Sequence, residues 1–236
     1  MKTLARRNRN SKLSDKQRSL VAHFDQKSPI AEQFRTLRTN IQFAGVDKKI
    51  RTMMVTSSTP GEGKSTTIAN LGTVLAQQQK RVLIIDGDLR KPTAHFTFQL
   101  PNQTGLTNVL TRQSSFDDAV KETMVPYLEV LTSGPLPPNP SELLGSKAMR
   151  DLVKELEMVY DYILFDAPPV NAVTDPQILS KLTDGVILVV RSGKTEEDAA
   201  KKAVESLKKV DATILGAVLN DQKMKDSQYY YYYGEK

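Results

Sequence analysis

Short apolar runs alternate with longer amphipathic stretches along most of this chain. The apolar runs predict strands at residues 50–58, 81–86, 127–133, 161–166, 185–190 and 213–220. Helical spacing predicts intervening helices at about residues 64–79, 106–110, 116–121, 146–159, 175–182 and 196–209. Runs without polar alternation are typical of strands covered on both faces. We therefore predict an α/β fold of the P-loop NTPase type, a single domain with a parallel sheet and helices on both faces.

A further helix is predicted ahead of the first strand. Ser28 and Pro29 form a helix start, with serine as the N-cap and proline at the first helical position. Apolar residues then recur at helical spacing and predict a buried stripe, formed by Ile30, Phe34, Leu37 and Ile41.

The positive charge of the chain is concentrated at its beginning. Residues 1–27 hold eight Lys/Arg against two Asp, which equals the +6 of all 236 residues, so the remainder is neutral. We predict a basic flexible tail at 1–27, a domain at 28–220 and a flexible tyrosine-rich tail at 221–236. The basic tail is either a solvated arm or an arm that meets an anionic membrane face or an acidic partner. A neutral body argues against a nucleic-acid partner.

The composition limits the remaining classes. The chain has no cysteine, which excludes disulfides and thiolate metal sites and fits a cytoplasmic protein. No apolar run approaches the roughly 20 residues that span a bilayer. Any membrane association should therefore depend on another protein.

A loop between the first predicted strand and its helix carries the sequence SSTPGEGKST at residues 57–66. It fits the phosphate-binding pattern G-x-x-x-x-G-K-[ST], except that Ser58 replaces the first glycine. Lys64 would supply charge to the terminal phosphates, and the Ser65 hydroxyl would bind Mg²⁺. The residues predicted to bind ATP are Pro60, Gly61, Glu62, Gly63, Lys64, Ser65 and Thr66.

Polar residues end three other predicted strands. Asp86 and Asp88 follow the strand at 81–86, and Asp166 ends the strand at 161–166. Carboxylates beside a triphosphate repel it unless Mg²⁺ lies between them or one has another function. We predict Mg²⁺ at Ser65, Asp86, Asp88 and Asp166; turn-capping or solvated aspartates are the alternative. Asn220 ends the last strand and either contacts the adenine edge or forms a turn.

These motifs together resemble the bacterial tyrosine kinases of capsular and exopolysaccharide systems, over essentially the entire chain. The resemblance rests on PGEGKST, IIDGDLR, ILFDAPP, LTSGPLPPNPSELL and a terminal tyrosine cluster. It implies catalytic roles for Lys64, Asp86, Asp88 and Asp166, with Asp86 accepting the tyrosine proton.

The resemblance also implies an assembly. The pattern E-x-x-R-x-x-R at Glu32, Arg35 and Arg38 matches a segment that packs between subunits of a ring in this family, although a solvated helix face would carry the same spacing. A membrane-anchored activator that governs polysaccharide chain length would recruit the kinase through its cytoplasmic tail to the inner face of the membrane. A protein-tyrosine phosphatase would reverse the modification.

Five consecutive tyrosines lie close to the end of the chain. They are flanked by polar residues and are predicted to be phosphoacceptors, at Tyr229, Tyr230, Tyr231, Tyr232 and Tyr233. An aromatic patch that anchors the tail or binds a partner is the alternative. Other functions for the whole chain are an ATPase switch of the partitioning or division-site type, or a non-catalytic ATP-binding adaptor. The switch proteins carry a lysine at the second position of the loop, where this chain has Thr59.

Overall fold

A computed structural model describes residues 20–44 and 49–222 of this protein. Seven strands lie within these ranges: β1 (Thr52–Ser57), β2 (Val82–Asp86), β3 (Lys121–Glu122), β4 (Leu128–Leu131), β5 (Tyr162–Asp166), β6 (Gly185–Arg191) and β7 (Ile214–Asn220). The helices are α1 (Val21–Phe24), α2 (Pro29–Ala44), α3 (Lys64–Ala76), α4 (Ala94–Phe98), α5 (Leu106–Leu110), α6 (Phe116–Ala119), α7 (Pro140–Leu144), α8 (Lys147–Glu157), α9 (Asp175–Ser180) and α10 (Glu197–Lys208).

The strands form one sheet in the order β3-β4-β2-β5-β1-β6-β7. Six strands run parallel, as predicted, but the edge strand β3 pairs antiparallel with β4. The connection from β3 to β4 is too short for the crossover that a parallel pair requires, so the chain folds back as a hairpin. The carboxyl ends of the parallel strands meet at one edge of the sheet, where ligands of such sheets bind.

The core has one layer on each face of the sheet. Helix α3 is buried from Thr67 to Ala76 and packs on one face. On the other face, α8 buries Met149, Leu152, Val153 and Leu156 against the same sheet. The pattern of apolar runs thus predicted the layer architecture correctly. No helix among residues 20–44 and 49–222 is long and apolar enough to cross a membrane.

The segment before α2 differs from its prediction. Leu20 is 1% exposed and Ala22 is fully buried, so these residues belong to the core and not to a flexible tail that ends at 27. The N–H of Ala22 donates to Asn70 Oδ1 (2.8 Å), and Gln77 Nε2 donates to the carbonyl of Ala22 (2.9 Å). These two hydrogen bonds join α1 to α3, so the domain begins upstream of residue 28.

Helix α2 buries only part of its predicted stripe. Ile41 is 4% exposed, and Phe34 and Leu37 are partly buried against the core. Ile30 is 47% exposed and lies outside the stripe, contrary to the prediction. It lies in the first turn of α2, ahead of the part of the helix that packs on α3.

Candidate active site

The phosphate-binding loop connects β1 to α3 at the carboxyl edge of the sheet. Its two glycines, Gly61 and Gly63, have φ of +78° and +94°, in the left-handed region that favours glycine. A Cβ on Gly63 would lie 2.0 Å from Nδ2 of Asn220, so this position must remain without a side chain. Asn220 Nδ2 donates to the carbonyl of Glu62 (2.9 Å), and its amide therefore supports the loop.

Glu62 faces the interior of the loop. Its carboxylate accepts hydrogen bonds from the N–H groups of Ser58 (2.8 Å) and Thr59 (3.1 Å), from both of their hydroxyls, and from Thr195 Oγ1 (2.6 Å). Burial alone would raise the pKa of Glu62, but the bonds from Thr195 and Ser58 outweigh it, and the pKa is lowered. The Glu62 carboxylate thus holds the loop itself, and its contribution to ATP binding stays a prediction. The serine that replaces the first glycine of the pattern supplies two of these hydrogen bonds.

Three aspartates converge on Lys64 at the neighbouring strand ends. Asp86 and Asp166 are direct partners in the β2–β5 register. The Lys64 ammonium lies 3.4 Å from Asp88 Oδ2 and 3.6 Å from Asp166 Oδ1. Asp86 and Asp166 are fully buried and Asp88 is 4% exposed. The structure therefore brings all four residues that were predicted to be catalytic into one cluster beside the loop.

Burial of several carboxylates in one place changes their proton affinity. Burial, followed by repulsion from Asp166, raises the pKa of Asp86 to about 7. Burial also raises the pKa of Asp166, although Lys64 opposes the effect. Burial lowers the pKa of Lys64, but Asp166 and Asp88 outweigh it, and the net shift is upward. Lys64 is therefore charged, while Asp86 can take up and release a proton near neutral pH.

Backbone N–H groups also donate hydrogen bonds to the Asp86 carboxylate. Its Oδ2 accepts from the N–H groups of Thr93 (3.1 Å) and Ala94 (3.0 Å), at the beginning of α4. Its Oδ1 accepts only a long bond, 3.3 Å, from the N–H of Asp88. Oδ1 is the oxygen with free capacity for a proton.

The donor set fits Mg²⁺. Both oxygens of Asp166 are buried, and their nearest charged neighbour is the Lys64 ammonium, 3.6 Å from Oδ1. Ser65 Oγ lies 2.8 Å from Thr93 Oγ1, in the first turn of α3 beside the loop. No group of three or more His, Cys, Asp or Glu in 20–44 and 49–222 forms an all-protein metal cage. Mg²⁺ in phosphate-transfer sites is normally held by one or two carboxylates, water and phosphate, which is the set that Asp166, Asp88 and Ser65 could complete.

The Arg90 side chain binds a carboxylate outside the Asp86 and Asp88 pair. Its Nε and Nη2 donate to the two oxygens of Asp175 at 2.9 and 3.1 Å, and Ser141 Oγ donates to Asp175 Oδ1 at 2.6 Å. Asp175 is fully buried, and nothing in the sequence analysis singled it out. This network ties the segment after β2 to α7 and α9.

The three residues of the predicted interface differ from one another. Glu32 and Arg35 form an ion pair on the surface of α2. Arg38 is partly buried, and its Nη1 donates to the carbonyl of Val74 (2.9 Å), near the end of α3. Arg38 therefore binds its own domain, while Glu32 and Arg35 remain on the surface. The predicted acceptors Tyr229–Tyr233 lie outside the described residues.

The geometry agrees with the comparisons to known proteins. Residues 50–220 match a family model described as an AAA domain. The tyrosine-protein kinase YwqD of Bacillus subtilis is 51% identical over 231 residues, which cover 98% of this chain and 96% of that protein. The chain belongs to the bacterial tyrosine-protein kinases. The family resemblance of its motifs to kinases of capsule and exopolysaccharide biosynthesis is thereby confirmed.

Solved structures support the same assignment for this kinase. The chimerical protein CapA2B2 superposes with a TM-score of 0.86 and 46% identity, over 88% of this chain and 91% of that chain. The kinase domain of Escherichia coli ETK gives 0.85 at 30% identity, over 94% and 85%. The AAA-type domain and the loop geometry imply ATP binding.

The switch proteins share only the fold. The septum site-determining protein MinD of Pyrococcus horikoshii, complexed with Mg-ADP, superposes with a TM-score of 0.62 at 23% identity, over 77% of this chain and 76% of that chain. Thr59, at the second position of the loop, donates from Oγ1 to Glu62 Oε1 at 2.8 Å. The second loop position of this kinase thus stabilises its own loop.

Proposed function

We propose that this tyrosine kinase transfers the γ-phosphate of ATP to its own terminal tyrosines, Tyr229–Tyr233, between subunits of a homo-oligomeric ring. The observation that carries the proposal is the convergence of Lys64, Asp88 and Asp166 beside the phosphate loop, with Asp86 next to them. This arrangement supplies a positive charge for phosphate, carboxylates for a metal ion and a proton acceptor near neutral pH.

The loop and Lys64 bind and orient the phosphates. The left-handed glycines leave backbone N–H groups free to face phosphate oxygens, and α3 adds the positive end of its dipole. Ser65, Asp88 and Asp166 would hold Mg²⁺, which neutralises charge on the β- and γ-phosphates when it is bound. Asp166 suits this role because its carboxylate is fully buried beside Lys64 at the end of β5, next to the phosphate loop.

Asp86 accepts the proton of the tyrosine hydroxyl. As the phenolic oxygen bonds to the γ-phosphorus, the bond from that phosphorus to the β–γ bridging oxygen breaks, and the electron pair leaves with ADP. A tyrosine hydroxyl has a pKa near 10, so a base with a pKa of about 7 can share its proton as the new bond forms. Asp86 is fully buried, and the proposal requires that the segment after β2 opens toward the incoming tyrosine.

The length of the tail permits transfer between subunits. From Asn220 to Tyr229 an extended chain covers about 30 Å, at roughly 3.3 Å per residue. Glu32 and Arg35 on the surface of α2 are the groups available to a neighbouring subunit. We propose that a membrane-anchored polysaccharide co-polymerase recruits this ring through its cytoplasmic tail to the inner membrane face, and that a phosphatase resets it. Cycles of phosphorylation and dephosphorylation of the tail would regulate polymerisation and export of the polysaccharide.

The test is phosphate transfer from labelled ATP with Mg²⁺, detected as phosphotyrosine, with and without a cytoplasmic peptide of the membrane partner. Wild type is compared with Asp86→Ala, with a variant that has phenylalanine at all five tail tyrosines, and with Asp198→Ala as a control on an exposed aspartate. We expect signal in wild type and in the control, and none in the other two. ATP binding without any phosphotyrosine, even with the peptide, would support the adaptor function instead.

A further inference from the structure

The start of the tyrosine-bearing tail is attached directly to the phosphate loop. Strand β7 ends at Asn220, whose carbonyl accepts the last sheet hydrogen bond from the N–H of Ser192 (2.8 Å). The next residue, Asp221, has φ of +57°, so the chain turns sharply as it leaves the sheet. Asp221 is therefore the residue at which the chain turns away from β7.

A single arginine holds this turn against the loop. Arg191, at the end of β6, donates from Nε (2.9 Å) and lies with Nη2 2.7 Å from Oδ2 of Asp221. Its third nitrogen, Nη1, donates to the carbonyl of Gly61 at 3.2 Å. One planar guanidinium thus contacts the beginning of the tail and the phosphate loop at the same time, which the fork geometry of arginine permits.

Asn220, the residue before Asp221, also contacts the phosphate loop. Asn220 donates to the carbonyl of Glu62, and its Nδ2 occupies the space beside Gly63 where a side chain would lie. Asn220 therefore contacts Glu62 and Gly63 directly, and Asp221 is linked to Gly61 through the Arg191 guanidinium. The side chains of Arg191 and Asp221 are 33% and 56% exposed, so their pair is accessible and can open.

We propose that Arg191 and Asp221 are positioning residues for phosphorylation of the tail: they hold its first residue at the rim of the nucleotide site and so fix the direction in which the tyrosines are presented. This inference rests on the proposed function, since it requires the tail to be the substrate. Asp221 acts on the tail alone, whereas Arg191 acts on both the tail and the loop. The two residues therefore have separable effects.

The experiment compares two acceptors for one active site. The first is the attached tail, supplied by another subunit of the same oligomer; the second is a free peptide of residues 223–236, phosphorylated by the kinase with its five tail tyrosines changed to Phe. Asp221→Asn removes the charge, and asparagine tolerates the left-handed conformation. Asp211→Asn is the matched control, because Asp211 also has a positive φ (+51°) and faces a lysine, Lys181, at 3.9 Å.

We expect Asp221→Asn to slow phosphorylation of the tail about two- to fivefold, the factor that an exposed ion pair supplies, and to leave the free peptide unchanged. The effect should shrink at high salt, which screens the pair in wild type. Arg191→Gln should slow both acceptors, and Asp211→Asn neither.

Two results would overturn the proposal. If Asp221→Asn phosphorylates its tail at the wild-type rate, the pair does not position the tail. If it slows tail and peptide equally, Asp221 acts only through the loop. A wild type that binds ATP but never modifies its tail is a different result, since the proposed function then fails together with this inference.

Discussion

Replacing Asp86 with asparagine should make the kinase more stable and less active. The pKa of Asp86 is raised from its ordinary 3.8 to about 7, because the fold buries its charge next to Asp166. Between these two values the folded protein keeps a proton that the unfolded chain releases, so stability falls as pH rises. At 1.36 kcal/mol per pH unit, the loss between pH 5 and pH 7 is about 3 kcal/mol at most, and it is constant above pH 7. Asparagine cannot ionise and avoids this loss.

The assay is urea denaturation of wild type and Asp86→Asn at pH 5 and pH 8, without nucleotide or Mg²⁺, which would stabilise the folded state by binding. We expect the stability advantage of the variant to grow by about 1–3 kcal/mol between the two pH values. Asp198→Asn, on an exposed position, should show no such growth. An advantage that is the same at both pH values would refute the assignment of a raised pKa to Asp86. In wild type, Asp86 must lose its proton before it can accept one from tyrosine. The rate of tail phosphorylation should therefore increase as the pH is raised through about 7.

Three further variants test the loop and the metal site. Asp166→Asn should abolish the gain in ADP affinity that Mg²⁺ provides, as measured by calorimetry with and without the ion; an unchanged Mg²⁺ dependence would exclude Asp166 as a ligand. Gly63→Ala should weaken nucleotide binding at least tenfold, because its Cβ would displace Asn220, whereas Gly193→Ala, at φ +68° with open space around it, should bind nucleotide normally. Glu62→Gln should lower the midpoint of thermal unfolding and weaken ATP binding, because one amide cannot accept hydrogen bonds from all the loop donors, at a cost of about 1–3 kcal/mol. Glu197→Gln, on the surface of α10, is the control. Equal behaviour of the two variants would show that Glu62 does not organise the loop.

The sequence alone was sufficient to predict the layers of the fold and the residues at the strand ends. The apolar runs that became β2 and β5 end in Asp86 and Asp166, and the parallel register places these two residues side by side. The helices that were missed are short, such as α1 with four residues and α4 with five. Segments of this length carry few turns, so the helical period predicted α5 and α6 but not α1 and α4, and tertiary packing stabilises them all.

The contacts that the sequence could not supply are long-range. Glu62 was counted among the ATP-binding residues because it lies in the loop motif, but its partner Thr195 is 133 positions away. Arg90 follows Asp88 by two positions, whereas the carboxylate that its side chain binds, Asp175, is 85 positions away. Spacing predicts neighbours within one element, and it gives no information on which distant side chain satisfies a buried charge.

The most direct test of the account mixes two proteins, neither of which can phosphorylate its own tail alone. One carries Asp86→Ala and intact tail tyrosines; the other has an intact site and Phe at positions 229–233. After incubation with ATP and Mg²⁺, mass spectrometry locates phosphate on each chain. We predict phosphate on Tyr229–Tyr233 of the Asp86→Ala chain, supplied by the active site of its neighbour. Unmodified tyrosines on that chain, in a mixture that assembles and binds ATP while wild type modifies its tail, would contradict transfer between subunits.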